Sequence, residues 1–451
     1  MPLINRCGGG SSFAAVIQVT YNSGAVCTCT NGSTTLTAPD TSGECTFKVT
    51  RKGTWTVTVV FGEYTETENV SITNDGELRR LSVFAAYVYG ISRNITNSSP
   101  VWARTDHAVG FTATASVGTV AGASDFDNCY PWNGIERITL PTPYKDVMVK
   151  IPKFWYRRYR EGDVEYIKIA TKEISGFTLH PAFNHANAQK DCIYVGAYHT
   201  AGGSGDTRSV SGVSGIYLTS TSKKNMRTYA RAKGAGWGLI DISTLSAIQM
   251  LILVEFATNN VQEAIGYGVF GKSNTTDINR TGECDDVPNL TGTTVTVSNN
   301  HISADANVIW RGIENLWGNV SEFIDGLDYS AGNYYVCNDP SLYDTSTAAS
   351  FTQLSYSAAY QYWRGEYIET VGFDPNNSHV MLPTTAGGSS STYYCDSVHT
   401  SSSSAVYTYG GSATDSRGYA GLFCSEFYMP ETSQYGDAGS RLIYIPQEAA
   451  S

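Results

Sequence analysis

Charge is scarce in this sequence: 16% of its 451 residues are Asp, Glu, Lys or Arg, and acids outnumber bases by 41 to 30, giving a net charge of −11 and a pI near 5.1. A nucleic-acid partner is not expected, because phosphate contacts need clustered Lys and Arg. Lys145, Lys150, Lys153, Arg157, Arg158 and Arg160 do cluster, but Phe154, Trp155 and Tyr156 make that stretch read as a half-buried strand with one solvated face. Long apolar runs are lacking too. The longest, Ala247 to Ala257, is too short to span a bilayer and contains Glu255. Met1 to Gly10 has one Arg and no apolar stretch, so neither a signal peptide nor membrane insertion is expected. The ten cysteines are scattered, the nearest being Cys27 and Cys29, with no paired CxxC clusters. Buried thiols are expected, and no metal or other cofactor. His180, His185 and His199 lie near one another without HExxH spacing and read as structural or surface histidines.

Glycine (44), tyrosine (30, against 16 phenylalanines), serine and threonine are abundant. This balance favours short strands and ordered loops, with few helices, and the length suggests two or three domains. An excess of phenol over phenyl leans towards surfaces that bind. Sequons such as those at Asn31, Asn94 and Asn289 read as chance matches in so Asn/Ser/Thr-rich a chain.

The chain divides by pattern. Residues 1–13 read as an attachment segment. Residues 14–81 alternate: Cys45, Phe47 and Val49 share one face and Trp55, Val57, Val59 and Phe61 another, with turn chemistry at Asn31-Gly32 and Asn74-Asp75-Gly76. An immunoglobulin-like β-sandwich is expected there. Residues 82–130, weakly periodic with anchors at Trp102, Arg104, Asp106 and Phe126, read as a connection into a second domain over 131–446. Helices are expected near Ser222 to Lys233 and Ser243 to Thr258, the second capped by Ser243 or Asp241.

From Ser389 to Gly439, Ser, Thr, Gly and Tyr dominate. Tyrosine supplies contact area at low entropic cost and Ser and Gly supply adaptable hydrogen bonds, the combination found in antibody paratopes. Tyr393, Tyr394, Tyr407, Tyr409, Phe423, Phe427 and Tyr428 would anchor this segment as a flexible linker could not be anchored. Glu314, Glu322 and Asp325 could be imagined as a calcium site, but acids in a Trp- and Gly-rich phrase more often fix turns by accepting backbone N–H bonds.

The phrases Pro152-Lys153-Phe154-Trp155-Tyr156, Gly176 to Phe183 and Arg311 to Asn319 resemble the C-type-lectin-like fold shared with the formylglycine-generating enzyme family. Thr392-Tyr393-Tyr394-Cys395-Asp396, Gly410-Gly411, Ala420 to Phe423 and Gly439 to Leu442 resemble the variable proteins of diversity-generating retroelements, a class that includes phage tail-fibre tropism determinants. The resemblance implies an α+β C-type-lectin-like domain after the sandwich. It makes Tyr394, Asp396, Gly410, Gly411, Ala420, Gly421, Leu422, Phe423, Gly439, Arg441 and Leu442 framework. The implied ligand-facing residues are Ser397, His399, Ser401, Ser403, Tyr407, Tyr409, Ser412, Thr414, Ser416, Tyr419, Ser425 and Tyr435. Adenine-targeted mutation of Asn codons, the mechanism the family implies, does not yield Glu, Gln or Met, so Glu426, Met429, Glu431 and Gln434 depart from its repertoire.

The expected function is that of a phage receptor-binding protein at the tail fibre or tail tip. It would be a homotrimer in the virion, bound to other tail proteins through its N-terminal region and recognising a host cell-surface protein or glycan. The alternative is a cellular surface-display protein of the same family, and a weaker one is a glycan-degrading enzyme. The family's oxidation chemistry needs a close cysteine pair, whereas Cys395 and Cys424 are far apart in sequence, so no enzymatic activity is expected.

Overall fold

A computed structural model describes residues 13–185, 188–203, 205–212, 221–295, 306–344, 350–358, 364–401, 403–416 and 419–447. The expected attachment segment, residues 1–13, lies outside these except for Phe13. The chain forms two compact units: residues up to Val88 with Lys172–Ile174, and Tyr89–Thr171 with residues from Ser175 onward.

In the first unit strict alternation produces two sheets. Strands β1 (Ala15–Thr20), β4 (Glu44–Val49) and β7 (Leu78–Ser82) form one, in the order β4-β1-β7; β2 (Val26–Thr30), β3 (Thr35–Thr37), β5 (Gly53–Phe61) and β6 (Tyr64–Ile72) form the other, in the order β3-β2-β5-β6. Side chains on a strand point alternately to opposite faces, so Trp55, Val57 and Val59 turn inward against Ile17, Val19, Phe47 and Val49. Cys27 and Cys29 are fully buried in this core as free thiols. The β1–β7 pair is parallel while β1–β4 is antiparallel, so the chain must cross between the sheets before β7 returns.

The second unit does not have the expected α+β C-type-lectin-like architecture. Of the described residues, 41% are in strands and 12% in helices, with three α-helices among them. Stretches between and beyond the helices pair as strands. The largest sheet has nine strands, running Thr352–Ser357, Asn333–Val336, Ser321–Ser330, Ala405–Tyr409, Ser425–Met429, Ser397–Thr400, Arg364–Val371, Pro383–Ala386, with Ala438–Gly439 parallel beside Ser321. β-branched and aromatic residues at alternate positions favour such pleated, packed surfaces over loops.

Helix α1 (Lys223–Arg231) has Ser222 as its N-cap, and α2 (Ile242–Phe256) has Asp241, whose carboxylate accepts the Thr244 N–H at 2.8 Å. Every residue of α2 from Ile242 to Glu255 is buried, as expected of a helix apolar on all sides. Ala257 ends it in the left-handed conformation, and the Arg104 guanidinium donates to the Val254 and Glu255 carbonyls at 2.6 and 2.5 Å. The short α3 (Val261–Ala264) follows.

Buried ion pairs connect the layers. Arg441, fully buried, donates to Glu322 Oε1 from Nε (3.1 Å) and Nη2 (2.8 Å), and to the carbonyls of Gly196, Glu314 and Asn315 at 2.9, 2.7 and 3.2 Å. A Cβ on Gly196 would lie 3.2 Å from Arg441 Cγ, so glycine there leaves room for the side chain. Arg158 pairs with Glu165 at 2.5 Å and donates to the Ser378, Val380 and Gly372 carbonyls, and Arg311 pairs with Glu255 at 2.6 Å. Arg158 is thus part of the interior rather than of a solvated basic face. No helix among the described residues is long and apolar enough to cross a membrane.

Removing one partner of a buried pair strands the other charge, at a cost of about 3–5 kcal/mol. Arg441→Met is therefore expected to lower the unfolding free energy by that order in urea denaturation, and adding Glu322→Gln to recover part of the loss. Equal instability of the single and double variants would contradict this account.

Candidate ligand-facing surface

The implied framework residues are all buried: Tyr394, Asp396, Gly410, Gly411, Ala420, Gly421, Leu422, Phe423, Gly439, Arg441 and Leu442. Two glycines show why. A Cβ at Gly410, whose φ is +88°, would meet the Leu316 carbonyl oxygen at 2.9 Å, and one at Gly421 would fall 1.9 Å from Asp396 Oδ1. Asp396 Oδ2 accepts the Phe423 N–H at 2.7 Å, and burial pushes its carboxyl well above the usual range.

The implied ligand-facing residues divide. Ser397, Tyr407, Tyr409, Ser412 and Ser425 are buried and cannot present their side chains to a ligand in solvent. Ala405–Tyr409 is an interior strand, buried along its whole length. Tyr407 stacks on Phe427 at 4.9 Å within a cluster that includes Tyr329 and Tyr334, and its hydroxyl lies 3.3 Å from Ser425 Oγ. Ser397 donates to the Tyr419 carbonyl at 3.2 Å, Ser425 to Phe423 at 2.8 Å and Ser412 to Asp437 at 3.1 Å. Much of the tyrosine excess thus fills the core.

His399, Ser401, Thr414, Tyr419 and Tyr435 are half-buried, and Ser403 and Ser416 exposed. His399 stacks on Tyr428 at 4.3 Å, and Tyr428 meets Tyr435 edge-on at 6.5 Å. Tyr419 lies 5.5 Å from Tyr367, which sits directly across from Ser397 in the antiparallel pair. Facing residues of a pair share one side of the sheet, as do residues two apart on a strand, so Tyr367, Ser397 and His399 share a face. Tyr428 and Tyr367 are missing from the expected set; the alternation of Ser425–Met429, which turns Tyr428 away from Phe427, is the signal that would have found the first. Ser401 and Ser403 are joined by their hydroxyls at 3.2 Å, and Thr414 donates to Asp437 at 2.7 Å, so these flanking hydroxyls have partners within the chain.

His399, Tyr428 and Tyr435 form a strip of neighbouring rings. A cleft of about 660 Å³ in the same unit, with Trp237, Leu239, Tyr343 and Ile443 among its lining, contains none of these residues.

The residues weighed for chemistry are placed separately. Glu314 accepts the Gly282 and Cys284 N–H groups, and burial raises its carboxyl to about 7. Burial alone would raise Glu322, but Arg441 holds it below its ordinary value; Asp325 is bound by Arg227 at 2.6 Å. Burial holds His180 and His199 below the ordinary imidazole value, His180 in a ring cluster with His379 at 5.6 Å and His199 beside Glu322 at 3.2 Å. Among the described residues no three His, Cys, Asp or Glu side chains are grouped as metal ligands.

No family model and no curated protein matches the sequence. Among solved structures, a candidate pore-forming toxin from Bacteroides vulgatus is similar over 41% of this chain and 76% of its own, at 12% identity and a TM-score of 0.12. A similarity of that size carries no argument about fold or function.

Beneath the strip, Glu426 accepts from Thr408 Oγ1 at 3.2 Å and Ser321 Oγ at 3.4 Å, and burial followed by the nearby Asp415 pushes its carboxyl up. The folded chain therefore holds this proton more tightly than the unfolded chain. The stabilisation is complete below the ordinary value of 4.5 and is lost as pH rises through the raised one. Glu426→Gln is expected to flatten the fall in unfolding free energy between about pH 5 and 8. Parallel curves for the variant and the parent would refute it.

Proposed function

We propose that this chain is a binding protein whose aromatic and hydroxyl strip, His399, Tyr428, Tyr435 and the flanking Ser401, Ser403, Thr414, Ser416 and Tyr419, contacts a ligand on a cell surface. The observation that carries the reading is the stack of His399 on Tyr428, half-exposed on two hydrogen-bonded strands of a large sheet. Rings held this way lose little entropy on binding, and Ser and Thr hydroxyls beside them can donate or accept. An open strip suits a protein or glycan surface better than a small substrate, which is normally enclosed.

The finer reading, a receptor-binding protein at a phage tail, rests on the motifs around Thr392 to Asp396 and Gly439 to Leu442 and on a composition unsuited to nucleic acid. In that setting the first unit joins the chain to the particle. Trimerisation would multiply weak contacts through effective concentration.

The test uses the labelled full-length chain on whole bacterial cells and on an array of bacterial surface glycans. Retention on at least one is expected, with a loss on the order of tenfold or more in His399→Ala/Tyr428→Ala, whose melting temperature stays near that of the parent. Tyr407→Phe, in the interior, should lower stability and leave the affinity unchanged. Failure of every surface to retain the chain, or retention unaffected by the double substitution, would sink the proposal.

A further inference from the structure

A second feature of the larger unit points to a ligand of defined chemistry. A cavity of about 320 Å³ has Arg93, Arg160, Tyr394, Glu369, Thr370 and Thr384 among its lining residues, and none from the His399 strip. Arg93 is 5% exposed. Its guanidinium lies against the rings of Trp102 and Tyr394, 5.5 and 5.0 Å from their centroids, and its Nη1 reaches the Tyr393 carbonyl at 3.4 Å. Among the described residues its Nε has no hydrogen-bond partner and no carboxylate lies within ion-pair distance of it. Arg160 also lacks a partner at Nε among the described residues. It donates to the Val371 carbonyl at 2.9 Å and lies 3.6 Å from Glu165 Oε1, which Arg158 engages at 2.5 Å, while Glu165 Oε2 has no hydrogen-bond partner among the described residues.

A guanidinium so deeply buried loses much of its hydration, and aromatic faces replace only part of it. Arg158 shows how this fold settles such a charge when the partner is internal: a carboxylate and three carbonyls take its donors. Arg93 and Arg160 have fewer acceptors among the described residues, and both line one cavity that an anion can enter. Planar bidentate donors of this kind match a carboxylate or phosphate.

The other walls narrow the choice. Burial pushes the Tyr394 hydroxyl up to about 12, so it remains an O–H donor at neutral pH. Glu369 accepts from Thr385 Oγ1 at 3.1 Å, and Thr370 and Thr384 are linked through their hydroxyls at 2.7 Å. A carboxylate in the same cavity disfavours a compact, highly charged anion and favours a ligand that also carries hydroxyl donors. The volume lies at the small end for ligand sites and suits a single sugar ring.

We propose that this cavity binds an acidic sugar, with the ligand's carboxylate held by Arg93 and Arg160 and its ring hydroxyls by Glu369, Thr370 and Thr384. The site gives the chain a specificity for uronic-acid-type residues that the strip does not require. It stands or falls independently of the strip, because the two share no residue.

The experiment is calorimetric titration of the full-length chain with methyl β-D-glucuronide, with methyl β-D-glucoside, which has the same ring without the carboxylate, and with inorganic phosphate. Saturable glucuronide binding is expected, at least tenfold tighter than the glucoside and tighter than phosphate. Arg93→Gln should weaken glucuronide binding at least tenfold. Arg160→Gln, at a more exposed position, provides the same comparison should the Arg93 variant fail to fold. Equal or absent binding of glucuronide and glucoside, tighter binding of phosphate, or unchanged affinity in a folded variant overturns the proposal.

Discussion

The larger unit depends on one guanidinium. Arg441 stands just before the strand Leu442–Tyr444, and its donors reach Glu322 in the nine-stranded sheet, Gly196 at the end of Cys192–Gly196, the middle strand of a five-stranded sheet, and Glu314 and Asn315 at the end of the strand Ile313–Glu314. A hydrophobic side chain could fill the same volume, but it would impose no register between these elements. The cation does, because each of its N–H groups must find an acceptor or pay the cost of desolvation. The chain therefore closes its second unit through a polar centre, and Arg158, Arg227 and Arg311 repeat the device elsewhere.

That arrangement explains how so β-rich an interior tolerates so much polarity. Tyr334 donates to the Pro383 carbonyl at 2.7 Å and Tyr343 to Asp241 at 3.0 Å, so two phenols bury large apolar faces while their hydroxyls are satisfied. Tyr409, also fully buried, has no such partner among the described residues and marks a place where packing outweighs hydrogen bonding. Tyrosine here serves as a core residue that also fixes orientation, a role that composition alone assigned to surfaces.

The legible parts of the fold were those with a strong period. Trp55, Val57 and Val59 alternate cleanly, and their sandwich faces follow. Leu245, Ile248, Leu251 and Ile252 repeat at helical spacing, with Asp241 as a cap ahead of them. The architecture of the second unit was not legible, because its strands join partners far apart in sequence; Ser321–Ser330 pairs with Ala405–Tyr409, and nothing local to either records it. The implied ligand-facing set divides between surface and core for a related reason. A strand reading Ala-Val-Tyr-Thr-Tyr looks two-faced until both sides are seen to be covered, whereas the implied framework positions, constrained by close backbone approach at Gly410 and Gly421, are all interior. Arg93 looked ordinary in sequence, since its want of a carboxylate is a property of the folded neighbourhood.

The register that sets His399 beside Glu426 also sets Val398 beside Ser425 and Thr400 beside Phe427. Because side chains alternate, one extra or missing residue within either strand would send His399 and Tyr428 into the core and bring Val398 and Phe427 out. Such a segment can diverge by exchange of residues far more readily than by change of length. Among descendants of this chain, insertions and deletions near the strip should be confined to the connections between strands, around Ser401 to Ser404 and Pro430 to Asp437, while His399 and Tyr428 drift in identity at constant spacing.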